Sequence, residues 1–415
     1  MRTKIEKIFI ILFVLILIFF NSCVIFAVSN EPSITSKAAI LLDNKTGKVL
    51  YSKNENEKMY PASTTKIVTA ILTLENSNLD EVVTVSYDDV MSIPEGYSVA
   101  NLQIGEELTV EQLLELLLVH SANDAANVLA KFVGGSVDSF VSMMNTKANE
   151  LGLTNTHFTN VYGKHDENHY TTASDLATIM KYCIKNDDFR RLAGSASCAI
   201  PATNKYGTRK YTSTNELIVP NSKNYYSYIT AGKTGFTTPA GDCLVSSAYK
   251  DNLELICVVL GGSSKNGEST RFSETRDLYE FGFSNYSIKT IVNQNDVATN
   301  IEVSNATRDT KSLDLLYSSS IEALVANDNL NDTYDFQVIL NDEIKAPIEQ
   351  SQVLGKVKYV IDDIEYECDL IASHSVQESK ILNIVLQVGF VILILFIIYK
   401  LIFSKNKKRK KYRKF

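Results

Sequence analysis

Three short segments of this chain combine residue types that acyl transfer needs. Ser63-Thr64-Thr65-Lys66 pairs a hydroxyl with an amine three residues on, and residues at that spacing share one face of a helix. A serine hydroxyl is a weak nucleophile until a base takes its proton. Lysine can be that base if burial and a neighbouring cation hold it neutral, and Lys233 is a candidate for the cation. Ser121-Ala122-Asn123 supplies a hydroxyl to relay a proton and an amide to hold a substrate amide. Lys233-Thr234-Gly235 supplies an ammonium beside a hydroxyl, a pair suited to a carboxylate. Any one triplet is weak evidence, because S-x-x-K arises by chance in most chains of this size. The three in this order form a known catalytic combination.

The elements that must position them can be read from periodicity. Pro61-Ala62 precede Ser63, and Ile67, Ala70, Ile71 and Leu74 follow at helical spacing. Ser63 is therefore expected in the first turn of a helix, where unpaired N–H groups favour negative charge. Thr109 with Gln112 predicts a capping box, and Leu113, Leu114, Leu116, Leu117 and Leu118 predict a helix buried on nearly all sides. His120-Ser121-Ala122-Asn123 breaks that pattern, and Asp124 is expected to cap a helix over Ala125–Phe132. Tyr228 to Thr237 reads as an edge strand in which Gly232 and Gly235 permit close approach of another chain. Strands over Cys243–Ala248 and Leu253–Leu260, joined at Lys250-Asp251-Asn252, follow it. Each segment also has a plainer reading: Ser63 as a helix cap with a solvated Lys66, Ser121 and Asn123 as backbone caps, and Lys233 as an edge-strand lysine.

Taken together, the chain resembles the low-molecular-mass penicillin-binding proteins that act as D-alanyl-D-alanine carboxypeptidases, over roughly residues 35 to 370. Pro61-Ala62-Ser63-Thr64-Thr65-Lys66-Ile67 is close to that family's serine motif. Ala231-Gly232-Lys233-Thr234-Gly235-Phe236-Thr237, with Ala240-Gly241 and Cys243-Leu244-Val245, is similar to its strand. His169-Tyr170-Thr171-Thr172-Ala173 followed by Asp175-Leu176-Ala177 looks like its loop beside the site. Two departures stand out. Val161-Tyr162-Gly163-Lys164 replaces the more frequent Pro-His-Gly-Leu, and Asp242 replaces a more usual aromatic or apolar residue. Both bear on fine substrate preference and not on the reaction class.

The resemblance implies an α/β (α+β) catalytic domain, an antiparallel sheet flanked by helices with a helical subdomain, followed by a small all-β domain. It implies that Ser63 attacks the carbonyl of the penultimate D-alanine and Lys66 takes its proton. Ser121 would relay a proton to the leaving amine and Asn123 would hold the substrate amide. Lys233 and Thr234, with Gly235 beside them, would bind the terminal carboxylate. The N–H groups of Ser63 and Phe236 would form the oxyanion hole, the kind of preorganised donor pair that usually dominates acyl transfer. Water would then release the acyl group, and penicillin, imitating the D-Ala-D-Ala end, would stall there. Peptidoglycan stem peptides are the implied partners and β-lactams the implied inhibitors.

At 415 residues there is room for two or three domains. Arg2, Lys4 and Lys7 followed by the apolar run Ile8 to Phe20 read as a signal peptide over residues 1–29. The catalytic domain is expected over 30–284 and the β-rich domain over 285–375, the latter as a spacer or a partner-binding module. Residues 381–403 have the length and apolarity of a transmembrane helix. The tail, 404–415, carries eight basic residues from Lys405 to Lys414, which by the positive-inside rule stay in the cytoplasm and leave the body outside. Net charge is −7, but the exterior part holds 29 basic against 47 acidic residues, or −18, which argues against nucleic acid or anionic lipid as direct partners. No cofactor is expected and no zinc-ligand spacing appears; His157, His165, Asp166 and His169 fit an Asn- and Asp-rich loop. Five cysteines beyond Cys23 are scattered and odd in number, and are expected to be mostly buried free thiols.

The reading that results is a membrane-anchored serine D,D-carboxypeptidase. A β-lactamase would need a deacylating base, and no E-x-x-L-N pattern stands near residues 150 to 180. A non-catalytic penicillin or wall-fragment receptor would usually carry a signalling domain, which the short basic tail does not offer. Transpeptidase activity is the nearest enzymatic rival.

Overall fold

The computed structural model describes residues 31–265, 268–328 and 333–411; the segment read as a signal peptide lies outside the described residues, as do residues 412–415 of the basic tail. The chain divides into two compact units. The first is built on β1 (Ala38–Asp43), β2 (Val49–Lys53), α1 (Lys66–Asn76), α2 (Val110–Leu118), α3 (Asn123–Gly134), β3 (Ile229–Thr237), β4 (Gly241–Lys250), β5 (Leu253–Gly262) and α4 (Thr270–Asn285). The five strands form one sheet in the order β2-β1-β5-β4-β3. Short connections join β1 to β2, β3 to β4 and β4 to β5, whereas residues 54–228, which hold α1, α2 and α3, lie between β2 and β3. Asp251 and Asn252, at φ 50° and 64°, make the two-residue turn whose twist matches an antiparallel hairpin. β1, β4 and β5 are apolar and buried along nearly their whole length, as interior strands must be, and β3 is an edge.

The helices cover this sheet and build a subdomain. α2 starts at the capping box read from Thr109 and Gln112, with both reciprocal bonds made, and buries Leu113, Leu114, Leu116, Leu117 and Leu118. Two local expectations are corrected. Ser63 lies in a 3-10 turn, Ala62–Thr65, that leads into α1, and not in the first α-helical turn. α3 begins at Asn123, and Asp124 is not its cap. Its carboxylate instead accepts the N–H groups of Ala100 and Leu102 at 3.0 and 3.1 Å, charge-assisted bonds that tie down the 100–102 loop. α4 runs from Thr270 to Asn285 and passes through Gly282. One helical glycine costs only about 1 kcal/mol, less than the turns anchored by buried Leu278 and Tyr279.

The second unit holds a sheet of the strands Val297–Glu302, Ser312–Tyr317, Ile364–Ala372, Val353–Ile361 and Phe336–Leu340, in that spatial order, and a separate pair, Tyr286–Val292 with Ile321–Ala326. Period-2 alternation in these strands turns Leu313, Leu315, Val357, Tyr359 and Leu370 into one core. The buried hydroxyls of Tyr317 and Tyr359 satisfy each other at 2.8 Å. A final helix, Ile381–Lys411, contains an 18-residue stretch, Ile384–Leu401, of mean hydropathy 2.6 with every residue exposed. It is long and apolar enough to cross a membrane. The five described cysteines are buried free thiols.

Candidate active site

Ser63 is presented by a strained corner. Ala62 adopts φ 49°, a left-handed conformation that alanine rarely takes, and the 3-10 turn that follows is closed by Thr64 Oγ1 and Thr65 Oγ1 donating to Pro61 O and Ala62 O at 2.7 and 2.8 Å. Behind it, Thr65 Oγ1 lies 2.8 Å from His169 Nε2, while Thr159 N donates to His169 Nδ1 at 3.0 Å. An imidazole that accepts on Nδ1 carries its proton on Nε2. Burial lowers the His169 pKa to about 4, so the ring is neutral and acts as a fixed strut. The histidine cluster of the sequence thus contributes one buried structural residue, and the described residues contain no group of three or more His, Cys, Asp or Glu placed to hold a metal ion.

Lys66, fully buried at the start of α1, places Nζ 2.8 Å from Ser63 Oγ and 2.9 Å from Tyr162 O. Its pKa is held well below the ordinary lysine value, first by burial and then by the charge of Lys233, with Asp124 opposing. An amine so placed has the geometry that a base for the adjacent hydroxyl requires.

The other triplets come from distant elements. Ser121, buried, sits at φ 65° in the turn between α2 and α3. Asn123 opens α3, its N–H donating to Ser98 O at 2.9 Å. Asn123 Oδ1 is buried with no partner among the described residues, an acceptor waiting for an N–H group, since buried polar atoms are normally paired. On β3, Lys233 is fully buried and donates to Thr234 O at 2.9 Å; burial, then Arg271, lowers its pKa to about 7. Thr234 Oγ1 lies 2.6 Å from Thr214 Oγ1. Gly235 packs against the backbone at Ser63: a Cβ there would stand 2.9 Å from both Pro61 O and Ser63 N. Phe236 projects its ring outward, 61% exposed. Ser63, Lys66, Lys233 and Gly235 thus meet where β3 abuts the 3-10 turn, and α3 packs on α1 with Asn123 at its start.

Asn160 and Arg271 escaped the reading of the sequence, and Gly163 and Asp124 were read without the roles they have here. Asn160 Oδ1 gathers the N–H groups of Tyr162, Gly163 and Lys164 at 3.3, 2.8 and 2.9 Å, shaping the loop whose Tyr162 carbonyl meets Lys66. Gly163, at φ 88°, lies against Ala62. Arg271, from α4, donates through Nη1 to Gly235 O at 2.9 Å and pairs with Asp242 at 3.3 Å. Asp124 braces the 100–102 loop. No motif marks Arg271, but Asp242 was a usable signal, because a buried carboxylate requires a cation or donors.

Comparison with known proteins agrees with this geometry. Residues 26–264 match the D-alanyl-D-alanine carboxypeptidase family, and residues 286–378 match the C-terminal domain of penicillin-binding protein 5. The D-alanyl-D-alanine carboxypeptidase DacF of Bacillus subtilis is 34% identical over 334 residues, covering 79% of this chain and 82% of its own. Penicillin-binding protein 5 of Haemophilus influenzae superposes with a TM-score of 0.65 at 27% identity, covering 84% of this chain and 99% of the other. The peptidoglycan synthesis regulatory factor PBP3 of Streptococcus pneumoniae gives 0.69 at 25% identity, covering 83% and 100%. With more than half its length matched to the family and its fold shared with these structures, the chain belongs to the serine-type D-alanyl-D-alanine carboxypeptidases of the penicillin-binding protein class.

Proposed function

We propose that this protein removes the terminal D-alanine from peptidoglycan stem pentapeptides through an acyl-enzyme at Ser63. The observation that carries the reading is the 2.8 Å approach of Lys66 Nζ to Ser63 Oγ, from an amine that burial and Lys233 keep poorly basic. Lys66 takes the hydroxyl proton as Oγ attacks the carbonyl of the penultimate D-alanine. The N–H groups of Ser63 and Phe236 receive the oxyanion. Asn123 holds the substrate amide, and Lys233 with Thr234 binds the terminal carboxylate. Ser121 passes a proton to the leaving nitrogen, and D-alanine departs. Water then attacks the ester, releasing a tetrapeptide and restoring the Ser63 hydroxyl. Penicillin acylates the same oxygen and remains.

The rest of the reading concerns place. Residues 1–29 export the chain, 30–284 catalyse, 285–375 act as a spacer, and 381–403 span the membrane with 404–415 in the cytoplasm. The apolar stretch Ile384–Leu401 and the basic residues after it support this topology.

The test is labelling with a fluorescent penicillin, followed by mass spectrometry of the digested adduct. The adduct is expected on Ser63 and is expected to vanish in Ser63→Ala; an adduct elsewhere, or undiminished labelling of the variant, overturns the assignment. Incubation with a pentapeptide separates the reactions: free D-alanine with tetrapeptide marks a carboxypeptidase, and cross-linked dimer marks a transpeptidase.

A further inference from the structure

Asp242 stands at the start of β4, 5% exposed, in a position where a carboxylate is costly unless it is paired. It is paired twice. Ser269 Oγ donates to Oδ2 at 2.6 Å, and Arg271 Nη1 lies 3.3 Å from Oδ1. The same Nη1 donates to the carbonyl oxygen of Gly235 at 2.9 Å. That carbonyl belongs to the peptide unit whose N–H is that of Phe236. In a planar trans peptide the C=O and N–H point in opposite directions. A cation that pins the oxygen therefore fixes the heading of the Phe236 N–H. It also polarises the amide, since hydrogen bonds to one end of a peptide strengthen donation at the other.

We propose that Asp242 and Arg271 are positioning residues that orient and polarise the Gly235–Phe236 peptide as an oxyanion-hole donor. The proposal rests on the reading of Phe236 N–H given above. Asp242 aims the guanidinium, Ser269 steadies Asp242, and Arg271 is thereby held against the strand. Burial of Arg271, which by itself disfavours its charge, is offset first by Asp242. Because the pair acts through the Gly235–Phe236 peptide, its effect is expected on the acylation step and not on recognition of the terminal carboxylate.

The experiment uses the full chain and the variants Asp242→Asn and Arg271→Lys. The first variant keeps an acceptor for Ser269 but drops the charge; the second keeps a charge but loses the fork. Circular dichroism and melting establish that each is folded. Deleting one oxyanion donor outright costs about 10²–10³ in kcat, so misaiming one is expected to lower kcat roughly tenfold with KM within about twofold of the parent. Affinity for a peptide boronic acid, whose tetrahedral adduct carries the oxyanion mimic, falls in parallel. Should both variants misfold, Ser269→Ala reports the same effect at smaller size, roughly two- to threefold in kcat. Parental kcat and boronate affinity in the folded variants overturn the proposal, and so does a loss confined to KM, which would mean that Arg271 reads the substrate. Failure of the parent itself to be labelled at Ser63 would instead overturn the underlying serine-peptidase reading.

Discussion

Gly163 leaves no room for a side chain against Ala62. A Cβ at position 163 would stand 1.7 Å from the Ala62 carbonyl oxygen and 2.9 Å from Ser63 N. The loop that carries the Tyr162 carbonyl to Lys66 is therefore pressed directly onto the peptide that presents Ser63. Gly163→Ala combines a backbone clash with a φ of 88°. Overpacking costs about 1–3 kcal/mol and a left-handed conformation about 1–2 kcal/mol more. The variant is expected to melt lower and to be acylated by penicillin at least about tenfold more slowly, because Ser63 is displaced from Lys66. Stopped-flow acylation beside a melting curve checks this; an unchanged acylation rate would show that the contact does not set the nucleophile's position.

The two buried lysines predict a bell-shaped pH profile with assigned limbs. Lys66 acts as a base only when neutral, so kcat/KM falls on the acid side as Lys66 takes up a proton, at a pH well below the ordinary lysine value. In the proposed mechanism Lys233 binds the carboxylate only when charged, and its pKa of about 7 puts the expected loss of kcat/KM on the basic side just above neutrality. Bound carboxylate favours the ammonium, so the basic limb of kcat should lie higher than that of kcat/KM. Lys233→Arg, charged throughout the range, should move the basic limb upward. A basic limb unmoved by that substitution assigns it to another group.

Lys233 should be separable from the other residues by the substrate's charge. Its charge-assisted bonds are worth about 1.5–3 kcal/mol each, so Lys233→Ala should lower kcat/KM for a free-acid substrate by roughly ten- to hundredfold. Loss of this cation also raises the pKa of Lys66, which deepens the defect. A substrate amidated at its C-terminus should be poor for the parent and lose little further in the variant. The cycle of two enzymes against acid and amide substrates decides the matter: equal losses on both would show that Lys233 does not read the carboxylate.

His169 makes stability depend on acid. Its folded-state pKa of about 4 lies below the ordinary value of 6.5. Between those values the unfolded chain binds a proton that the folded one refuses, so stability is full above about pH 6.5 and declines as pH falls toward 4. At about 1.36 kcal/mol per pH unit, the loss is on the order of 3 kcal/mol. His169→Gln should be less stable than the parent at neutral pH, since it disturbs the bonds to Thr65 and Thr159. The gap should narrow as the pH falls toward about 4.5. Denaturant unfolding of both proteins at about pH 7 and about pH 4.5 measures it, and a gap that stays constant would mean that the ring is not buried neutral.

Sequence alone determined what is local. The helix at Val110–Leu118 was legible because its capping box and leucine spacing lie within ten residues, and the strands around Lys233 because alternation and turn residues act over a few positions. The three triplets could be picked out as candidates because each spans only three or four consecutive residues. What the tertiary structure decided depends on partners far apart in the chain. Asp124 looked like a cap because capping is the local use of an aspartate before a helix, yet its carboxylate is taken by N–H groups 22 and 24 residues away. Arg271 meets the Gly235 carbonyl across 36 residues, and His169 meets Thr65 across 104. Periodicity carries no information about such pairs. They form because burial of the segments that hold them leaves each polar group with only the partner that packing brings within reach.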